Sequence, residues 1–221
     1  MPKISYEAFK ILKIQEFRNL ILGRLSLVLG FRMTATLIGW WIYDLTKDPF
    51  SIGLIGLSEV IPAVSCALYA GYFIDMNEKK RLLLICNFAY VVLLGSLLIP
   101  AWFHQDLGLN NKAISYIIYS VIFLTGIFRA FLGPIVPSMI PRIVTKEQLP
   151  QAITVNQATF LTASVLGHAI GGFLVALVQI KGALIVIVFL LILASFFFLK
   201  VRPQPSDYKD KKVNISESIK E

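Results

Sequence analysis

Six apolar runs, each about as long as a bilayer crossing, occupy nearly the whole chain between Leu20 and Lys200. A hydrocarbon core of ~30 Å takes about 20 helical residues to span. On that measure the runs read as spans at 20–42, 52–74, 82–103, 114–136, 153–177 and 183–200. Lipid offers the backbone no hydrogen-bond partners, so runs of this length have to satisfy their own N–H and C=O groups as helices. With 57% hydrophobic and 15% charged residues and a mean hydropathy of +0.74, little sequence is left for a water-soluble core. The expected fold class is all-α: a polytopic membrane protein built as a six-transmembrane-helix bundle.

The basic residues are distributed unevenly along the chain. Of 21, fifteen fall before the first run, after the second, after the fourth or after the sixth, including Lys79, Lys80, Arg81, Arg142, Lys146 and Arg202. The opposite loops carry Lys47, Lys112 and Lys181, and Arg24, Arg32 and Arg129 lie within runs. Cytoplasmic loops are the ones enriched in Lys and Arg, which places both termini in the cytoplasm of a multi-pass plasma-membrane protein. The net charge of +8 then belongs to loops facing anionic lipid, and no nucleic-acid partner is expected.

The connections 44–51, 75–81, 104–113, 141–152 and 180–182 are short, so consecutive helices are antiparallel neighbours in one bundle. Three divisions follow: a cytoplasmic N-terminal segment 1–19, a transmembrane domain 20–200, and a cytoplasmic tail or linker 201–221. The first is interrupted by charges and lacks the pattern of a signal peptide; Ile4, Phe9, Ile11, Leu12 and Ile14 among lysines suit a short helix on the inner membrane face. The Arg142–Leu149 stretch between two prolines has room for a brief surface helix. Helices 1–3 and 4–6 each cover similar lengths, and runs 1 and 4 each hold an arginine beyond the midpoint, as a 3+3 inverted repeat leaves behind.

An ionisable side chain near the membrane midplane costs at least ~2.5–3.5 kcal/mol on insertion scales and needs a reason. Arg32, Glu59 and Arg129 are the coupling candidates. Counted from the run midpoints at ~1.5 Å per residue, Arg32 and Glu59 lie at similar depth and are expected to pair or share a wet cavity. The depth of Arg129 allows it to snorkel to the inner headgroups, and Arg24 is expected to snorkel. Gly167, Gly171 and Gly172 permit tight helix contact, and His168 among them is either a packing residue or a group that titrates near neutral pH. Asn87, Asn156 and Gln157 are expected to hydrogen-bond between helices, and Trp40, Trp41 and Trp102 to form an aromatic belt. Cys66 and Cys86 have no ligand-spaced partners and read as packing residues. No Gly-rich phosphate loop, paired-cysteine zinc spacing or Ser-His-Asp set occurs in a plausible context, so neither an enzyme nor a cofactor is expected, and any driving force is an ion gradient.

The loop after run 2 reads Gly71-Tyr-Phe-Ile-Asp75-Met-Asn-Glu-Lys79-Lys80-Arg81. Gly71 is expected to admit a close backbone neighbour, Asp75 to cap a facing helix N-terminus, and the basic triplet to anchor the next helix at the phosphate level. The pattern resembles the loop 2–3 signature of the major facilitator superfamily, with Met76 at a usually basic and Glu78 at a usually glycine position. Trp41-Ile-Tyr-Asp44-Leu-Thr and Pro141-Arg-Ile-Val-Thr-Lys-Glu-Gln-Leu-Pro150-Gln-Ala resemble its drug-, macrolide- and siderophore-exporting branch. Arg129-Ala-Phe-Leu-Gly133 is similar to the family's intramembrane arginine motif, and Gly167-His168-Ala-Ile-Gly171-Gly172 to its exporter glycine motif, with His168 where proline is usual.

The resemblance covers about residues 15–202 and implies the N-terminal half of a twelve-helix transporter. It implies a gating role for Gly71, Asp75, Lys79, Lys80 and Arg81, a cavity-facing role near the proton pathway for Arg129 as the alternative to snorkelling, and proton-coupled efflux of drug-like or other amphipathic small molecules by alternating access. Helices 1, 2, 4 and 5 then line the path and rock against a second six-helix half, supplied by a separate chain or by self-association. Protons are expected to be taken up at Glu59 or Asp75. A truncated, non-transporting remnant or an assembly partner of a split transporter is the alternative reading. A carboxylate in the cavity suits cationic substrates, whereas Arg32 and Arg129 suit anions.

Overall fold

A computed structural model describes residues 11–103 and 106–203. All regular structure among them is helical: α1 (Gln15–Thr46), α2 (Phe50–Met76), α3 (Lys79–Ser96), α4 (Leu98–Phe103), α5 (Asn111–Met139) and α6 (Leu149–Leu199), with 3-10 turns at Ile11–Lys13 and Ile140–Arg142. Most of the expected N-terminal surface helix and of the 201–221 tail lies outside the described residues. No surface helix occupies 143–148, where turns join the Ile140–Arg142 turn to α6. Among the described residues, five helices are long and apolar enough to cross a membrane, α3 and α4 counting as one.

The third run is broken at Leu97 because Pro100, one turn into the continuation, cannot donate to the Ser96 carbonyl and crowds it. Asn110 caps α5, its side chain accepting from the Ala113 N–H at 2.8 Å. Lys47, in the left-handed region at φ 55°, ends α1 and returns its N–H to Tyr43.

The fifth and sixth runs lie within α6, whose 51 residues would extend roughly 75 Å if straight, far beyond one ~30 Å hydrocarbon core. The helix is not straight. Gln179 has φ 57° and ψ −173°, a backbone state that L-residues other than glycine adopt only under strain. The arm before it runs alongside α1 in the same sense, since Ser164 meets Arg32 and His168 meets Thr36. The arm after it runs the other way: Leu191 lies against Gly30, Phe198 against Gly23, and the Arg202 N–H bonds the Glu16 carboxylate at 2.9 Å. Asn87 of α3 ties down this second arm, donating to the Leu191 carbonyl at 3.0 Å and the Ser195 hydroxyl at 2.6 Å.

α1 is the axis of the bundle. More than half of its residues are buried, and it touches α2, α5 and both arms of α6. By contrast α2 buries only Ser51, Ile55, Pro62, Ala70 and Ile74, a narrow stripe that leaves Val64, Leu68, Tyr69 and Phe73 exposed. Trp40 and Trp102 are exposed as a belt requires, but Trp41 is buried against the bundle. Of the three expected interhelical amides, Asn87 bonds across helices through its NH2 group alone, the side-chain oxygens of Asn87 and Asn156 are buried without a partner, and Gln157 is exposed.

Candidate functional site

Three faces converge on one cavity of about 280 Å³, lined by Arg24, Leu27, Val28, Phe31 and Arg32 of α1, Arg129, Leu132, Gly133 and Val136 of α5, and Phe160 of α6. The spacings explain the convergence. Residues 24, 28 and 32 repeat every four, 129, 132, 133 and 136 every three or four, and 160, 164 and 168 every four, so each set lies on one helix face. A residue with no side chain closes each crossing. A Cβ at Gly126 would stand 2.5 Å from the Glu59 carbonyl oxygen and 2.7 Å from Pro62 Cγ, and one at Gly167 would stand 2.6 Å from Arg32 Cβ. These are backbone approaches that any side chain would forbid.

The charges are arranged differently from the depth argument. Glu59 forms its ion pair with Arg129, not with Arg32. Gly126 is the cause: three residues before Arg129 on the same face of α5, it lets α2 close in until the Glu59 carboxylate reaches that guanidinium. Arg32 points instead toward α6, where its Nε donates to the Ser164 hydroxyl at 3.2 Å and its guanidinium lies 5.6 Å from the centre of the Phe160 ring. Arg129 lines the cavity, with its guanidinium 5.1 Å from the Phe31 ring. Arg24 does not reach outward as snorkelling requires. It is 8% exposed, lies 5.6 Å from the same Phe160 ring, and its Nε has no hydrogen-bond partner.

The glycine motif of α6 divides. Gly167 and Gly171 both face α1, whereas a Cβ at Gly172 would meet nothing within 4 Å, so Gly172 takes no part in the contact. His168 accepts or donates at Nδ1 to the Thr36 hydroxyl, 3.0 Å away, which ties the same two helices one turn above the Arg32–Ser164 bond.

The 71–81 loop also departs from expectation. Gly71 is exposed with open space around it, so no backbone neighbour uses its missing side chain. Asp75 is exposed and acts on Lys79 as a nearby opposite charge rather than as a helix cap. The basic triplet does not act as one anchor: Lys79 is buried beside Arg142, Lys80 Nζ donates to the Leu199 carbonyl at 2.9 Å, and Arg81 is exposed. The Lys80 contact caps the end of α6, where a helix dipole favours a cation.

Phe160, Ser164, Thr36 and Gly126 belong to the site although they lie outside the sequence motifs. The four-residue repeat linking 160, 164 and 168 is the signal that points to the first two; for Gly126, one glycine in an apolar helix, there is none.

A family model described as the Major Facilitator Superfamily matches residues 20–221. No curated protein matches the chain by sequence. Among solved structures, the in meso crystal structure of the POT family transporter PepTSo superposes with a TM-score of 0.70 at 16% identity, covering 88% of this chain and 39% of that one. The chain thus spans well under half the length of that transporter, and at this identity the likeness is one of fold.

Proposed function

The chain belongs to the Major Facilitator Superfamily, and from that premise we propose that it is the N-terminal six-helix half of a secondary transporter that moves amphipathic, drug-like small molecules outward by alternating access. The observation that carries the reading is the Glu59–Arg129 ion pair at the wall of the three-arginine cavity. Charges are placed among membrane helices at a cost and accompany ion or substrate pathways. A proton taken up by Glu59 neutralises the carboxylate and releases Arg129, which is the switch a proton-coupled cycle requires.

Six crossings, with the two arms of α6 serving as two spans and both termini in the cytoplasm of the plasma membrane, fit the charge distribution of the loops. The division into segments 1–19, 20–200 and 201–221 follows from the same reading. The exposed α2 face from Val64 to Phe73 suits a second six-helix half, from another chain or a second copy, against which this bundle rocks. At the basic end, Gly71, Asp75, Lys79, Lys80 and Arg81 form the part that gates against that half.

The test uses the purified full-length chain in proteoliposomes, with fluorescent amphiphiles of positive, zero and negative charge and an imposed pH gradient. Gradient-dependent movement of at least one amphiphile is expected, abolished by an uncoupler and lowered at least tenfold by Glu59→Gln. Movement at the same rate without the gradient, or none from a chain shown to self-associate, contradicts the proposal and favours the alternative of a non-transporting assembly partner.

A further inference from the structure

Arg24, Arg32 and Arg129 line one cavity, and Glu59 on Arg129 is the one carboxylate among the described residues paired with any of them. Two guanidinium groups therefore face the cavity without a counter-charge, and Arg129 carries the repulsion of Arg32 besides. Arg32 spends its Nε on the neutral Ser164 hydroxyl. Arg24, more than nine-tenths buried, has an Nε with no partner at all. A buried, unpaired cation of this kind is costly unless a ligand completes it.

The apolar side of the same cavity is aromatic. Arg24 and Arg32, two turns apart on α1, lie at equal distances of 5.6 Å from Phe160, and Phe31 stands beside Arg129. From this arrangement we infer that the cavity binds the oxyanion group of an amphipathic molecule, a carboxylate or a phosphate ester, held by Arg24 and Arg32 with its ring or chain against Phe160 and Phe31. A guanidinium offers two parallel N–H donors to such an oxyanion, a match that an ammonium or an amide substrate cannot make. The volume of about 280 Å³ stands just below the ~300–1,000 Å³ usual for small-molecule pockets, so it takes the charged head and a small ring system rather than a whole large molecule.

This inference deepens the transporter reading by naming the class of substrate, and it rests on the cavity being the substrate site of that reading. Anionic lipid headgroups present the same oxyanion, so the experiment separates the two sources. Binding of 2-naphthoate, of its neutral carboxamide and of the cationic 2-naphthylmethylamine is measured by calorimetry on the full chain in phosphatidylcholine nanodiscs. The carboxylate is expected to bind at least tenfold more tightly than either isostere, and this preference is expected to fall at least tenfold in Arg24→Gln and in Arg32→Gln while Lys146→Gln leaves it unchanged.

The wild-type isostere series decides the matter even if both arginine variants misfold. Loss of naphthoate binding in phosphatidylglycerol nanodiscs assigns the oxyanion to lipid; retention assigns it to a soluble solute. Equal or tighter binding of the amide or the amine, or displacement of naphthoate by physiological chloride, overturns the inference. Naphthoate bound without any transport in vesicles keeps the anion site and rejects the transporter reading, whereas transport of cationic amphiphiles alone does the reverse.

Discussion

Glu59→Gln is expected to lower the stability of the solubilised chain by about 2–4 kcal/mol, somewhat less than the ~3–5 kcal/mol of a fully buried pair. The discount reflects geometry, since the two side chains are 24% and 25% exposed. The loss arises because removing the carboxylate leaves Arg129 as a third unpaired cation in a cavity that already holds Arg24 and Arg32. Replacing both partners by methionine is expected to recover most of the loss, because two apolar groups of similar size leave no charge to desolvate. Chemical unfolding in micelles, run as a double-mutant cycle, checks both points. Coupling is expected between Glu59 and Arg129 and close to none between Glu59 and Arg32; the opposite result would restore the pairing that equal depth alone suggests.

Gly126→Val has the second large effect. Its Cβ would fall 2.5 Å from the Glu59 carbonyl oxygen and 2.7 Å from Pro62 Cγ. The obstacle is backbone and a proline ring, neither of which can rotate away. Overpacking of a well-filled contact costs ~1–3 kcal/mol, and here relief requires α2 to move off α5, so a loss at or above the top of that range is expected. The shift also withdraws Glu59 from Arg129, so Gly126→Val and Glu59→Gln are expected to be less than additive when combined. Gly56→Ala, whose added methyl meets nothing within 4 Å, is expected to keep or slightly raise the melting temperature, since alanine favours a helix over glycine. Full additivity of the first pair would sever the link drawn between the crossing and the ion pair.

Helix content, the apolar spans and the presence of Arg32, Glu59 and Arg129 inside them were legible because charge and hydropathy are properties of single residues. Their partners were not. A position along the chain gives depth in the membrane, but pairing depends on the direction in which each helix turns its face, and that direction is set by contacts between elements. Arg32 and Glu59 share a depth yet diverge, because Gly126 draws Glu59 toward α5 while Gly167 brings α6 against Arg32. Arg24 illustrates the same limit: its place one turn inside the run suits an outward side chain, yet it shares a face with Val28 and Arg32 and turns inward with them. Gly71 errs in the other direction. Its motif is conspicuous, but among the described residues no neighbour approaches it. The reversal at Gln179 was visible only as the short polar interval around Lys181, and its strained backbone carries no sequence mark.

The cavity depends on the fold-back of α6, which brings one arm to it and sets the other against Gly23 and Gly30 of α1. Single cysteines placed at Lys47, Lys112, Lys181, Lys146 and Arg202, in a chain lacking Cys66 and Cys86, and treated in intact cells with a membrane-impermeant thiol reagent, test it most directly. Labelling of 47, 112 and 181 from outside is predicted, with 146 and 202 reacting only after permeabilisation. Protection of 181 together with 146, or outside labelling of both 181 and 202, would contradict it.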